Sequence, residues 1–569
     1  PEPTPEPPAP PVTPPPPVTP PPVTPPVVTP PPVTPPPVTP PPAQPPASGQ
    51  HPVAKIDLGQ TSVPQGHAVH ASALASDLKS GTMLTARYEW DFGDASGKYN
   101  KLQGFNAAHF YEQPGTYTIS LTVTNEAGRK TTTSRQVTVT AAQRRIIYVS
   151  GNGNDNNTGR TTGTAVRTFS RAMSLVADNT EIRFDRGHEY TLTGGKQISD
   201  DNVVIGAYGS GNKPHLKWTG GRGYGAFFHT TGQNITIRDL HMTTIHDATK
   251  ANTPTGVSVG GKNVSILGNS YHQVGHVHNL NQNPQYVLMQ ENSVPSELGM
   301  ANYLAWVQGT DIVMLGNEVS NSRREHGVRI YGGERVLMAH NEIGNMDRRA
   351  QGDPYDTIKS AIGVQQSRHV YVTDNVITGP MSAGPLDVGA SHERTQWVVI
   401  QDNVIMDKVV FATGLENLEF RNNVIDADDR TLVEVQGWSS SKNRGVKNVT
   451  LRNNLAVNDG TQGAFLRVWS GASQISVLGN VYSANRLKIG LYDSAGLYVA
   501  DSNLNAFTKI SGNVWPDGSE GTSYVQNGVN FVGNGQSGWQ DPTEWLSFAK
   551  VSDESFRDVY VNANYEIVN

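Results

Sequence analysis

From Arg145 onwards the chain repeats one short pattern: an apolar strand of period two that ends at Asn or Asp, often followed by another apolar pair. Instances are Ile235-Thr236-Ile237-Arg238-Asp239, Val264-Ser265-Ile266-Leu267-Gly268-Asn269, Ile312-Val313-Met314-Leu315-Gly316-Asn317 and Val336-Leu337-Met338-Ala339-His340-Asn341. The pattern returns before Asn375, Asn403, Asn423, Asn454 and Asn480. Nine instances, about 20 to 48 residues apart, predict a solenoid. A short strand with one apolar face cannot bury that face alone, whereas stacked coils share one interior. A period of two rather than 3.6 excludes helical repeats. The terminal Asn favours a sharp turn with left-handed backbone, and its amide can bond to the Asn of the next coil to make a ladder. Long spacers, 271–296 and 344–358, are loops thrown out on one side, where solenoids build binding faces. The repeat fades after residue 521, and Thr522 to Asn569, with Trp539, Trp545, Leu546 and Phe548, is expected to cap the last coil.

Upstream the pattern differs. His51 to Ala141 holds short alternating strands, such as Thr116-Tyr117-Thr118-Ile119-Ser120-Leu121-Thr122-Val123, which predict a small β-sandwich. Tyr88-Glu89-Trp90-Asp91-Phe92-Gly93-Asp94, then His109-Phe110-Tyr111 through Pro114-Gly115-Thr116-Tyr117, then Leu121 to Asn125, resemble the PKD (polycystic kidney disease) domain family, with Ala95 where that family usually has Gly. Trp90 is expected to anchor the core and Pro114-Gly115 to turn into the last hairpin. The resemblance implies a spacer or weak binding module rather than a catalytic one. Pro1 to about Ser48 is almost wholly Pro, Thr and Val. Such a segment is a disordered, polyproline-type linker that at ~3.1 Å per residue reaches on the order of 150 Å, acting as a spacer or an inert solubilising tail. After Arg145, a strand, a Gly/Asn-rich loop over 151–159 and an amphipathic stretch from Phe169 to Val176 resemble the N-terminal cap of secreted right-handed parallel β-helices. The loop lacks the acidic spacing of an EF-hand, so a turn is expected there.

Composition narrows the function. The chain has 569 residues, enough for two or more folded units. Its 44 Lys and Arg against 50 Asp and Glu, without a long basic run, argue against a nucleic-acid binder. With no cysteine there is neither a disulfide framework nor a thiolate site. No run of about 18 apolar residues spans a membrane. The N-terminus carries no signal-peptide pattern, and the linker and domain types lead us to expect an exported bacterial protein, secreted or at the cell surface, after removal of its signal. The fold class is all-β: a sandwich, then a parallel β-helix at 145–521, with a monomer expected.

Candidate chemistry is concentrated between Ser322 and Trp397, where Arg, His, Lys, Asp, Glu and Tyr interrupt a background of Asn, Gly, Thr and Val. In Val328-Arg329-Ile330-Tyr331, inward Val328 and Ile330 turn Arg329 and Tyr331 outward. Counting back from each terminal Asn sets Ala305 and Val307 beside them on the preceding coil and Gly363 and Gln365 on the next, a shallow floor for an extended sugar chain. The walls are Arg324 and His326 on one side, Arg348, Arg349, Tyr355 and Lys359 on the other, and His392 and Arg394 from the next insertion. A uronate polymer needs a cation at its carboxylate, a base for the C5 proton and an acid for the leaving oxygen. Arg329 suits the first task, because its planar fork matches a carboxylate, and Lys359, His326 or Tyr355 the second. Tyr331, Arg324, Arg348, Arg349, Gln365, His392 and Arg394 would bind substrate. A plain surface ion pair from Arg329 to Glu325 or Glu334 is the competing reading, and His340 is expected to be structural.

The architecture resembles the pectate-lyase-like superfamily of right-handed β-helices. Gly327-Val328-Arg329-Ile330-Tyr331-Gly332-Gly333 before the Asn341 strand is similar to the Arg-bearing coil of its alginate and chondroitin lyases, although Ala305 to Gln308 stand where those enzymes carry a Lys. Asp353-Pro354-Tyr355-Asp356 is similar to the Asp-Pro-His motif of mannuronan C5-epimerases, with Tyr replacing His. The expectation is a polysaccharide lyase acting on an extracellular acidic polymer. The alternatives are a glycoside hydrolase with Asp353, Asp356 and Asp387 as carboxylates, and a non-catalytic adhesin or matrix protein. Ca2+ is the candidate cofactor, with no ligand set defined.

Overall fold

The computed structural model describes residues 49–515 except 224, 247–252, 295–303, 321–325, 345–359, 385–393, 428–430, 437–444, 459–462, 470, 484–493 and 500–505, together with 551–552, 555–556, 560–561, 565 and 567–568. The expected linker and most of the expected cap lie outside these.

Two sheets form the sandwich. One orders Asp57–Leu58, Ala68–Ser72 and Asn106–Phe110; the other orders Ser62–Pro64, Lys130–Thr140, Gly115–Thr124, Arg87–Asp91 and Lys101–Gln103. Alternation along Arg87–Asp91 turns Tyr88 and Trp90 inward; Trp90 is 1% exposed and its indole N–H donates to the Gly104 carbonyl at 3.0 Å. Pro114 leads into Gly115–Thr124, which pairs with Lys130–Thr140 as the expected hairpin.

From Arg145–Val149 the chain winds as parallel strands on three faces. A long face runs from Arg145–Val149 and Thr180–Asp185 to Phe507–Ser511, and a short face from Glu189–Leu192 to Ser555–Phe556. A third, the site face, runs from Lys196–Ile198 through Ala226–Thr230, Thr255–Val259 and His278–Leu280 to Ser494–Val499. In two coils the strands Ala305–Leu315 and Val328–Ala339 pass unbroken from the site face to the long face. The helix Phe169–Ser174, capped by the Thr168 hydroxyl accepting from the Arg171 N–H at 3.1 Å, buries Phe169, Ala172 and Met173 over the first coil. Asp155 accepts the N–H groups of Arg167 and Thr168 at 2.8 and 2.9 Å and the Thr168 hydroxyl at 2.8 Å, so the Gly/Asn-rich loop is a turn.

The Asn ladder is continuous from Asn269 through Asn292, Asn317, Asn341, Asn375, Asn403, Asn423, Asn454 and Asn480 to Asn513. Each buried amide donates to the next Asn; Asn317 reaches Asn341 at 2.8 Å and Asn341 reaches Asn375 at 2.9 Å. The left-handed residue is the one before the Asn, for example His340 at φ 58° and Asp374 at φ 55°. Two expectations change accordingly. Asp239 occupies that left-handed position at φ 57°, leaving Leu240 at the ladder position, and Asn292 and Asn513 join the ladder.

The expectation of a spacer is corrected for the sandwich, which is docked on the long face. Leu267, Leu288, Val313, Leu315, Leu337, Ala339, Tyr371 and Val399 point outward from the coils, yet share one buried core with the sandwich. The physical reason is that these strands are apolar on both faces, and a sheet buried on both faces needs a covering layer. Polar contacts frame this interface. Arg238 bonds to Glu112 at 3.1 Å, Gln401 donates to Gln103 at 3.0 Å, and Lys98 pairs with Glu291. His340 stacks on Tyr99 with ring centroids 5.6 Å apart, which makes it structural, as expected.

Candidate functional site

Arg329 and Tyr331 stand outward and half-buried on Val328–Ala339, because Val328 and Ile330, both 0% exposed, occupy the interior positions of the alternating strand. The preceding coil is corrected by one residue. Ala305 pairs with Val328 and Val307 with Ile330, both inward and 0% exposed, so that Trp306 is the neighbour of Arg329. The register slips just beyond: Val307 pairs with Ile330 but Gly309 with Gly333, so the Arg329 strand carries one extra residue before its Asn. Gly332 takes up the bulge at φ +76°, a conformation open to glycine. On the next coil the expectation holds, with Gly363 opposite Arg329 and Gln365 opposite Tyr331.

The guanidinium of Arg329 is thereby enclosed by two rings. Its central carbon lies 4.8 Å from the Trp306 ring centroid and 4.7 Å from that of Tyr331, and the two rings meet edge to face at 5.9 Å. Its Nε–H donates to Gln365 Oε1 at 3.0 Å. Stacking and this bond orient the fork and hold a fixed positive charge on the outer surface of the sheet. The competing partner Glu334 is engaged by His369 at 2.7 Å and Arg335 at 3.7 Å.

His326 precedes the strand and is 3% exposed. Its ring lies over Gly363, where a Cβ would come within 3.1 Å of Nδ1. Nδ1 is 3.1 Å from the Ser360 carbonyl, which can only accept, so the Nδ1–H tautomer leaves the lone pair on Nε2, the form a general base uses. Ser360 and Ser382 share a hydroxyl hydrogen bond of 2.7 Å beside it, and Ser382 faces Gly363 across the strand pair. Arg394 is engaged elsewhere, donating to Glu416 at 2.9 Å. Arg324, Arg348, Arg349, Tyr355, Lys359 and His392 lie outside the described residues, as do Asp353, Asp356 and Asp387. Among the described residues no group of three or more His, Asp or Glu is placed to hold a metal ion.

Sequence reasoning missed Trp306, Ser360 and Ser382. The first was within reach, because in Ala305-Trp306-Val307-Gln308 the local alternation already turns Trp306 outward. The serines carry no comparable signal, since their role depends on which coils become neighbours.

Two stretches of the sequence match known families. Residues 49–140 match the PKD domain and residues 298–482 the right handed beta helix region. No curated protein matches the sequence. Among solved structures the chain is similar to the GH136 lacto-N-biosidase from Eubacterium ramulus, at 12% identity over 73% of this chain and 68% of that one, with a TM-score of 0.41. It is also similar to the A-module of the mannuronan C-5 epimerase AlgE6 of Azotobacter vinelandii, at 13% identity over 60% and 92%, with a TM-score of 0.41. The PKD1 domain of Vibrio anguillarum Epp is 31% identical over 16% of this chain and 98% of that domain, with a TM-score of 0.14. Among the described residues no helix is long and apolar enough to cross a membrane. Sandwich, ladder and parallel faces together make this chain a PKD domain followed by a right-handed parallel β-helix.

Proposed function

We propose that this protein is a secreted or cell-surface enzyme that degrades an acidic, uronate-containing polysaccharide by β-elimination. The observation that carries the reading is the Arg329 guanidinium held between the Trp306 and Tyr331 rings on a sheet face floored by Gly363. Aromatic rings suit the apolar faces of sugars, and the guanidinium suits a carboxylate. Neutralising that carboxylate makes the C5 proton acidic. A base then takes this proton, the C4–C5 double bond forms, and the C4–O bond breaks as the leaving oxygen gains a proton. In this reading Arg329 neutralises, Tyr331 serves the leaving oxygen, and the base is Nε2 of His326, or Tyr355 or Lys359. Gln365 positions Arg329 as well as binding substrate.

The burial of His326 favours a second reading, a glycan-binding surface without turnover. Incubation with polyuronates, with and without calcium, separates the two. Elimination generates an unsaturated product that absorbs in the near ultraviolet; hydrolysis releases reducing ends without it; an adhesin binds and does neither. Loss of absorbance in Arg329→Gln is the expected result, and undiminished turnover in that variant would overturn the assignment.

A further inference from the structure

The site face carries a second cation laid on an aromatic ring. Arg467, on Gly463–Val468, has its guanidinium carbon 4.2 Å from the ring centroid of Trp469, a residue whose main-chain N–H donates to the Val435 carbonyl at 2.9 Å. Its neighbour across the strand pair, Glu434, accepts from Gln436 at 2.7 Å and lies 3.5 Å from Lys408.

The pair shares a column with Arg329. Register carries Arg329 to Gly363, Gly363 to Ser382, Ser382 to Val410, Val410 to Glu434 and Glu434 to Arg467. These five steps, at ~4.8 Å between strands, set the two cations about 24 Å apart. One step is close to the advance of one sugar in an extended glycan; of the four intervening positions, Gly363, Ser382 and Val410 bear no bulky or charged side chain, and the fourth, Glu434 beside Arg467, is an acid engaged by Gln436 and Lys408.

We propose that Arg467 and Trp469 form a distal subsite for the same acidic glycan, holding a uronate about five sugars from the one at Arg329. The proposal rests on the reading that the Arg329 face binds a uronate polymer, and deepens it: two stacked guanidinium groups at this separation recognise chain length. The distal pair touches no reacting atom, so it contributes to binding of long chains and leaves the chemical step untouched.

The test uses the full chain, with polyuronate oligomers of about three and about eight sugars, lengths that fall short of and exceed the ~24 Å separation. Trp469→Ala and Arg467→Gln are expected to weaken binding of the longer oligomer about tenfold, with that of the shorter oligomer and kcat unchanged. Circular dichroism and melting temperature confirm that both variants fold. If both oligomers are affected equally, or neither is, the distal subsite is overturned. If Arg329→Gln abolishes binding while Trp469→Ala leaves the longer oligomer unaffected, only the distal subsite fails. A wild-type protein that binds no uronate polymer overturns both readings.

Discussion

Arg421, on a strand of the β-helix, donates from Nη1 to the main-chain carbonyl of Leu84 in the sandwich at 2.9 Å, across 337 residues of sequence. The same buried guanidinium reaches Gln401 at 2.8 Å and the Ala86 carbonyl at 3.4 Å. Replacing it by Leu strands these acceptors without a donor. Arg421→Leu is expected to cost about 1.5–3 kcal/mol, read by denaturant unfolding, and to expose the sandwich boundary near Ala141 to limited proteolysis.

Asn341 anchors the coil that follows Arg329. Its amide donates to the Met314 and Ala339 carbonyls at 3.1 and 3.0 Å and to Asn375 at 2.9 Å, and its Oδ1 accepts the Asn317 N–H at 2.9 Å. Asn341→Leu keeps the volume but leaves these buried groups unpaired. A loss of about 2–4 kcal/mol in unfolding free energy is expected.

Two interface histidines make stability pH-dependent. Burial holds both His67 and His70 down to about 3 from 6.5; for His67 the Arg144 cation adds to this and the bond to Asn202 opposes it. Above pH 6.5 both rings are neutral whether folded or unfolded, and stability is highest. As the pH falls from 6.5 towards 3, the unfolded chain takes up protons that the folded chain refuses, so stability declines by up to about 1.4 kcal/mol per pH unit for each ring. Neither ring nitrogen of His70 has a hydrogen-bond partner among the described residues. His70→Leu should therefore remove about half of this slope in denaturant titrations, leaving the His67 share, while preserving stability at neutral pH.

Gly363 is the open floor beneath His326. A Cβ there would stand 3.1 Å from Nδ1 and 3.2 Å from Cε1, so Gly363→Val must push the ring aside. Displacing a group by about 1 Å costs on the order of 10²-fold in rate, and a fall of that size in kcat/KM on polyuronate is expected. An unchanged kcat/KM would exclude His326 from the chemistry.

The solenoid was legible because its signal is local: period-two strands and a recurrent Asn encode each coil separately. Register between coils was less so. Counting back from Asn317 put Ala305 beside Arg329, because the extra residue bulged at Gly332 lengthens one strand and not its neighbour. Docking of the sandwich also leaves a trace in the sequence. Ile312-Val313-Met314-Leu315 is apolar at every position, and only a strand covered on both faces needs that. The environment of Arg329 required both coil register and the Trp306 rotamer, which no single strand encodes.

A solenoid on its own is a column of nearest neighbours that can unzip from any weak turn. Here the sandwich grips coils far apart in that column, from Asn202 beside His67 at 2.9 Å to Arg421 beneath Leu84. It acts as a splint laid along the column: a coil in the gripped span cannot peel away without breaking bonds to a body that also holds more distant coils. The strands bearing Trp306 and Arg329 lie within that span, so the stiffness of their sheet is set partly by a domain that contributes no residue to it.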